Sequence, residues 1–270
     1  YQAKENGRNR VCWYRDDADA TRRIGEMEWT NRMRWALQND RLLLDYQEVT
    51  ELGPDPSDKV HIELLLRMRD EDGNVVAPGA FLSAVERYGL MPTIDRWVIR
   101  TALANFHRLH PRGGGLGTCA INLSGASIED EGLADFILGA IDEYRVPPQS
   151  LCLEITETVA VRDLDRVVRV VERLRAVGCR IALDDFGAGM SSFGYLKNLP
   201  IDVIKIDGSF VRDLGRDPMS HIIVEAVTRI GHQRGLRCIF NRDVNGIKPR
   251  LISGVGHRHD AFDMSNAAIQ

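Results

Sequence analysis

Short apolar runs alternate with amphipathic stretches along most of this chain, and the runs repeatedly end in an acid or an amide. Trp29, Met33 and Leu37 recur at four-residue spacing, which predicts a helix from Ala20 to about Asp40. Leu42 to Val49 and Val60 to Met68 read as two strands of an opening hairpin, with turns at Pro54–Lys59 and Arg67–Gly73. Helical patterns then cover Pro78–Tyr88, Thr93–Leu109, Leu133–Tyr144, Asp163–Val177, Ser192–Leu199 and His221–Arg234. Between them stand the apolar strands Cys119–Leu123, Leu151–Thr156, Arg180–Leu183, Val203–Asp207 and Leu236–Ile239. Strand and helix in regular turn describe an α/β fold with a parallel sheet covered by helices. The count suits a TIM-like (β/α)₈ barrel with an antiparallel first strand. From Asn241 to the end neither periodicity continues, so the barrel is expected to be incomplete at its C-terminal end.

Composition narrows the function more than the fold. The chain has 270 residues, 44% hydrophobic and 27% charged, with a formal net charge of −4. That balance carries no polycation signature, so no nucleic-acid duplex is expected as a partner. An anionic ligand would need a local arrangement or metal ions. The five cysteines include no Cys-x-x-Cys pair, and most lie in or beside apolar runs, as reduced thiols of a cytoplasmic protein do. No apolar run approaches the roughly 20 residues that cross a bilayer. The expected location is the cytoplasm, with room for a membrane anchor elsewhere in a longer parent protein.

The candidate chemistry lies where the strands end. In a parallel barrel the active site forms at the C-terminal strand ends. Those positions hold Glu63, Asn122, Glu154, Asp184, Asp185, Lys205 and Asp207. A single acid there would read as a helix cap. Several acids converging on one rim repel one another unless a cation lies between them. Oxygen ligands without histidine suit Mg²⁺ or Mn²⁺ rather than zinc. Asp184 and Asp185 are adjacent, placed where the strand from Ile181 is expected to stop before Gly187. Lys205, inside an apolar strand, either neutralises neighbouring carboxylates or orients or deprotonates a water, and the two roles are compatible. Ser191 and Ser192 read as turn and cap residues, since no histidine is placed to activate them.

These pieces together resemble the EAL domain family of cyclic-di-GMP phosphodiesterases. The family's name motif stands as Glu63-Leu64-Leu65-Leu66-Arg67, with leucine in place of alanine. Tyr46-Gln47, Asn122-Leu123-Ser124, Glu154-Ile155-Thr156-Glu157, Asp184 to Gly189 with Ser191-Ser192, and Lys205-Ile206-Asp207 match its other motifs. The resemblance implies hydrolysis of cyclic di-GMP to linear pGpG with two Mg²⁺ or Mn²⁺ ions. It implies metal ligation by Glu63, Asn122, Glu154 and Asp184, with Asp184 bridging and Asp185 serving the second ion. Lys205 would act on the attacking water, and Glu157 would brace the loop after its strand. Gln47, Arg67 and Asp207 would contact the substrate, Arg67 through a phosphate oxygen. A homodimer is the family's usual assembly.

Two ends depart from that pattern. Residues 1–11 resemble the last turn and strand of a GGDEF (diguanylate cyclase) domain, so residues 1–20 are expected to be its remnant and a linker, downstream of sensor domains. Residues 21–240 form the EAL-like part and 241–270 an atypical tail. The family continues after Ile239 with Ala-Glu-Gly-Val-Glu, but here the chain reads Phe240-Asn241-Arg242-Asp243-Val244. Asn241 is a neutral and poorer ligand for the second ion, which leaves a non-catalytic cyclic-di-GMP receptor as the alternative function. An enolase-like metal barrel using Lys205 as a base is the third possibility that chemistry alone allows.

Overall fold

The computed structural model describes residues 18–50, 59–110, 116–188, 193–212, 214, 216–240 and 250–252, with side chains from residue 25 onward except those of residues 193 and 250–252. The GGDEF-like start, Ser191, Ser192, Asn241 and Asp243 lie outside the described residues. Within them the chain forms two compact units, one of residues 18–42 with 68–90 and one of the described residues of 43–67 and from 91 onward.

The smaller unit is built on α1 (Ala18–Gln38), which begins two residues before the predicted start. Met33 and Ala36 are fully buried, while Arg32 and Glu28 pair on its exposed side. Trp29 packs on Phe81, which precedes α2 (Leu82–Arg87), and Arg87 reaches back to Glu26 at 2.7 Å. The helix predicted over Pro78–Tyr88 is thus a 3₁₀ turn at Pro78–Ala80 followed by α2, with Phe81 between them.

The larger unit is organised by its sheet. Its strands are β1 (Leu42–Val49), β2 (Val60–Arg69), β4 (Leu116–Asn122), β5 (Leu151–Thr156), β6 (Arg180–Phe186), β7 (Val203–Ile206), β8 (Arg237–Phe240) and β9 (Arg250–Ile252). Within the smaller unit, a two-residue β3 (Val75–Val76) pairs with Met68 and Arg69 at the end of β2. The order is β8-β7-β6-β5-β4-β2-β1-β9, and β2 and β4 to β8 are parallel. The Arg69 amide at the end of β2 bonds the Arg41 carbonyl just before β1, as an antiparallel hairpin requires.

β9 corrects one expectation. The tail was read as free of strands, yet Arg250–Ile252 pairs antiparallel with Leu44–Tyr46 of β1. Three residues are too few to show a period of two, so no pattern announced it. The sheet remains open: among the described residues no strand lies beyond β8.

Two faces of the strands have different residents because side chains alternate along a strand. Ile62, Ile121, Leu153, Ile155, Leu183 and Ile204 form one large core with side chains from α3 (Met91–Ala104), α5 (Leu133–Tyr144), α7 (Leu164–Ala176) and α9 (Pro218–Gln233). The opposite face holds a separate cluster of small side chains, Ala120, Cys152, Ala182 and Val203, with Ile239 against it. Two residues further along those strands come Asn122, Glu154, Asp184 and Lys205. The polar residues therefore stand on the small-residue face, one layer above an uncharged floor.

Candidate metal centre

β6 does not stop at its aspartates. It runs on to Phe186, and its pairing with β7 shifts between Leu183–Ile204 and Phe186–Ile206. Asp184 and Asp185 together face the single residue Lys205, which is a β-bulge. Asp185 takes φ +54°, a left-handed conformation that aspartate tolerates better than most residues. The bulge buries Asp184, whose Oδ1 accepts the Asp185 amide at 2.8 Å, and leaves the Asp185 side chain exposed.

Lys205 is the centre of the site. Its Nζ donates to Glu154 Oε2 at 2.5 Å, Glu63 Oε2 at 3.0 Å and Asp184 Oδ2 at 3.0 Å. The lysine side chain is only 2% exposed. One carboxylate oxygen from each of Glu63, Glu154 and Asp184 lies within 4.8 Å of the others. Asn122, in register with Glu154, donates its amide nitrogen to Glu63 Oε1 at 3.2 Å, which leaves its Oδ1 as a further oxygen donor. Glu63, Asn122, Glu154, Asp184 and Lys205 are thus brought together from five strands, β2, β4, β5, β6 and β7.

The charges do not balance. Burial and then Glu63 push the Glu154 carboxyl up to about 8, against the pull of Lys205. Burial disfavours the Lys205 ammonium, but Glu154, Glu63 and Asp184 outweigh it and hold the lysine protonated. Asp185, though exposed, is also raised, by partial desolvation at the rim of the cluster and then by Asp184 and Asp207. Even with the Glu154 proton retained, the one ammonium still faces both Glu63 and Asp184, which leaves a net negative cavity of hard oxygen donors. Mg²⁺ or Mn²⁺ fits that set.

The remaining predicted residues surround this cluster in different ways. Glu157, the first residue of α6 (Glu157–Arg162), is buried; its Oε2 accepts the Gly187 amide at 2.9 Å and its Oε1 the Tyr195 hydroxyl at 2.8 Å. It holds the turn that follows the bulge. Gly187 there has φ +94°, and a Cβ on it would sit 3.0 Å from the Phe210 ring. Asp207 accepts the Ser209 amide at the start of α8 (Gly208–Arg212), so it caps a turn as well as facing Asp185. Gln47 is half-buried on β1. Arg67 pairs through Nε with Asp45 Oδ2 at 3.0 Å and donates Nη1 to the Leu66 carbonyl at 2.8 Å.

Sequence reasoning missed three contributors. Asp45 hides in the apolar Leu-Leu-Leu-Asp-Tyr run, with its partner 22 residues away. Tyr195 lies in a 3₁₀ turn whose pattern shows no face. Asp95 on α3 is buried and accepts the Ser124 amide at 2.9 Å and the Ser127 hydroxyl at 2.6 Å, which fixes the turn two residues after Asn122. An acid next to the apolar Ile94 in the predicted helix Thr93–Leu109 was the available signal.

The EAL domain family matches residues 30–242. The cyclic di-GMP phosphodiesterase PdeB of Shewanella oneidensis is 36% identical over 238 residues, covering 88% of this chain and 28% of that protein. The bifunctional diguanylate cyclase/cyclic di-GMP phosphodiesterase MucR of Pseudomonas aeruginosa is 33% identical, covering 88% and 34%. The chain thus spans only a minor part of the length of these curated relatives. Among solved structures, the PaMucR phosphodiesterase in its c-di-GMP complex superposes with a TM-score of 0.71 at 34% identity, covering 79% of this chain and 85% of that one. The FimX EAL domain from Pseudomonas aeruginosa, bound to c-di-GMP, gives 0.72 at 30% identity, covering 79% and 84%. This chain belongs to the EAL domain family, and its fold is that family's TIM-like barrel, incomplete at the β8 side among the described residues.

Proposed function

We propose that this EAL domain hydrolyses cyclic di-GMP to linear pGpG. The observation that carries the reading is the cluster of Glu63, Glu154 and Asp184 around Lys205, which leaves more negative charge than one lysine can balance. Glu63, Asn122, Glu154 and Asp184 would hold two Mg²⁺ or Mn²⁺ ions, with Asp184 bridging and Asp185 serving the second. Such ions lower the pKa of a water and neutralise the phosphodiester charge. The chain's own residues do the rest. Lys205, held as an ammonium, spends its three hydrogens on Glu63, Glu154 and Asp184, so it would orient the attacking water only by releasing one of these carboxylates to an ion, and it cannot take the water's proton while charged. Gln47, Arg67 and Asp207 contact the dinucleotide, and Arg67 takes a phosphate oxygen. Glu157 and Tyr195 keep the turn after Asp185 in place. Residues 1–20 belong to a linker and an upstream GGDEF domain, 21–240 to the hydrolase and 241–270 to its tail. The working form is a cytoplasmic homodimer under the control of upstream sensor domains.

Incubation of the purified chain with cyclic di-GMP and Mn²⁺, with pGpG followed by chromatography, tests this reading. Turnover is expected, and Asp184→Ala should abolish it. A non-catalytic receptor is the second reading, favoured by the neutral Asn241 where the family carries a glutamate. Binding without product would select it, and absence of both would overturn the two together.

A further inference from the structure

Asp45 has no part in the metal centre, yet it is one of the most deeply buried acids of the larger unit, with its side chain 3% exposed. It lies mid-strand in β1, flanked by β2 and by β9, where it stands in register with Leu251. Its Oδ2 takes the Nε of Arg67, while its Oδ1 has no hydrogen-bond partner among the described residues. A buried carboxylate with one oxygen unsatisfied is costly, and a purely structural pair would be expected to use both. Arg67 is 12% exposed and uses Nε for Asp45 and one Nη1 hydrogen for Leu66, so Nη2 has no partner among the described residues. Two fixed points on a planar group determine its orientation. The guanidinium edge made of Nη1 and Nη2 is the one that remains to accept a phosphate in a forked contact.

We propose that Asp45 is a positioning residue that fixes the Arg67 guanidinium through Nε, so that its Nη edge is presented to a phosphate of cyclic di-GMP. This rests on Arg67 being the phosphate contact. Without Asp45, the long side chain must give up its rotamer freedom on binding, and the ligand is held less tightly. A double-mutant cycle on equilibrium binding of cyclic di-GMP, read before product forms, tests it. Arg67→Ala is expected to weaken binding about 30-fold and Asp45→Ala about tenfold. In the Arg67→Ala background, Asp45→Ala should then cost no more than about twofold. Asp45→Asn keeps an acceptor for Nε and should bind within about threefold of the unaltered chain. If Asp45→Ala does not fold, Asp45→Ser, which is too short to reach Nε, replaces it in the cycle. Equal losses from the Asp45 change in both backgrounds, or failure of Asn to rescue, would overturn the positioning role. A harmless Arg67→Ala would instead overturn the phosphate contact, and no binding by the unaltered chain would overturn the function.

Discussion

Two groups of buried charge share one sheet, and they solve the same electrostatic problem in opposite ways. Asp45 and Arg67 form a one-to-one pair, balanced within itself. Lys205 faces Glu63, Glu154 and Asp184 together, with Asp185 and Asp207 close enough to be felt. A balanced pair needs no further ion and can serve orientation. An unbalanced cluster stores repulsion that a divalent cation relieves. The contrast lies in stoichiometry rather than burial, because Asp45, Lys205 and Glu154 are equally shielded, each with no more than 3% of its side chain exposed.

That contrast breaks most visibly at Lys205. Lys205→Met should lower the unfolding free energy by about 3–5 kcal/mol without divalent ions, since it leaves its carboxylates uncompensated. Urea denaturation would measure it, and Mn²⁺ should narrow the gap between variant and parent. A loss under about 1 kcal/mol would mean that the acids are already neutral and the cluster is not strained.

A smaller effect sharpens the same point. The Glu154 carboxyl is raised from 4.5 to about 8, so the folded state holds that proton where the unfolded chain releases it. Its stabilising contribution is complete below the unfolded value and is lost as pH rises toward 8. The slope is at most about 1.4 kcal/mol per pH unit. Glu154→Gln should flatten this part of the stability–pH curve, and a variant that retained the parent's slope would assign it to another group. The smallest change is expected at the balanced pair. Replacing both partners, Asp45→Leu with Arg67→Met, should shift stability by no more than about 1 kcal/mol, because no charge is left behind. A large loss there would show that the pair supports the fold as well as the arginine's orientation.

Much of this architecture was readable from the chain, and the gaps have identifiable causes. β5 and α5 have the bounds that their apolar patterns predict, 151–156 and 133–144, because each is long enough to show its period. Asn122, Glu154 and Asp184 were legible because each follows a three-residue apolar run, while Glu63 and Lys205 stand inside their strands as polar residues among apolar ones. The bulge was not, since two adjacent acids look like the end of a strand whether or not pairing resumes at Phe186. α6 has only six residues, too few for a helical stripe, and β9 only three. Asp45 shows a different limit: a single polar residue in an apolar strand acquires meaning only when the neighbouring strand brings Arg67 beside it.

The floor beneath the charged layer has a bearing on ion choice. Ala120, Cys152, Ala182 and Val203 are all small, and Ala182 is fully buried. Small side chains make a thin, uncharged layer directly beneath the acidic oxygens. Magnesium binds oxygen at about 2.0–2.1 Å and calcium at about 2.3–2.6 Å, a difference of less than one methyl radius. In the metal centre proposed above, that difference would make the fit of an ion sensitive to alkyl volume one residue layer down, at positions that never touch the ion.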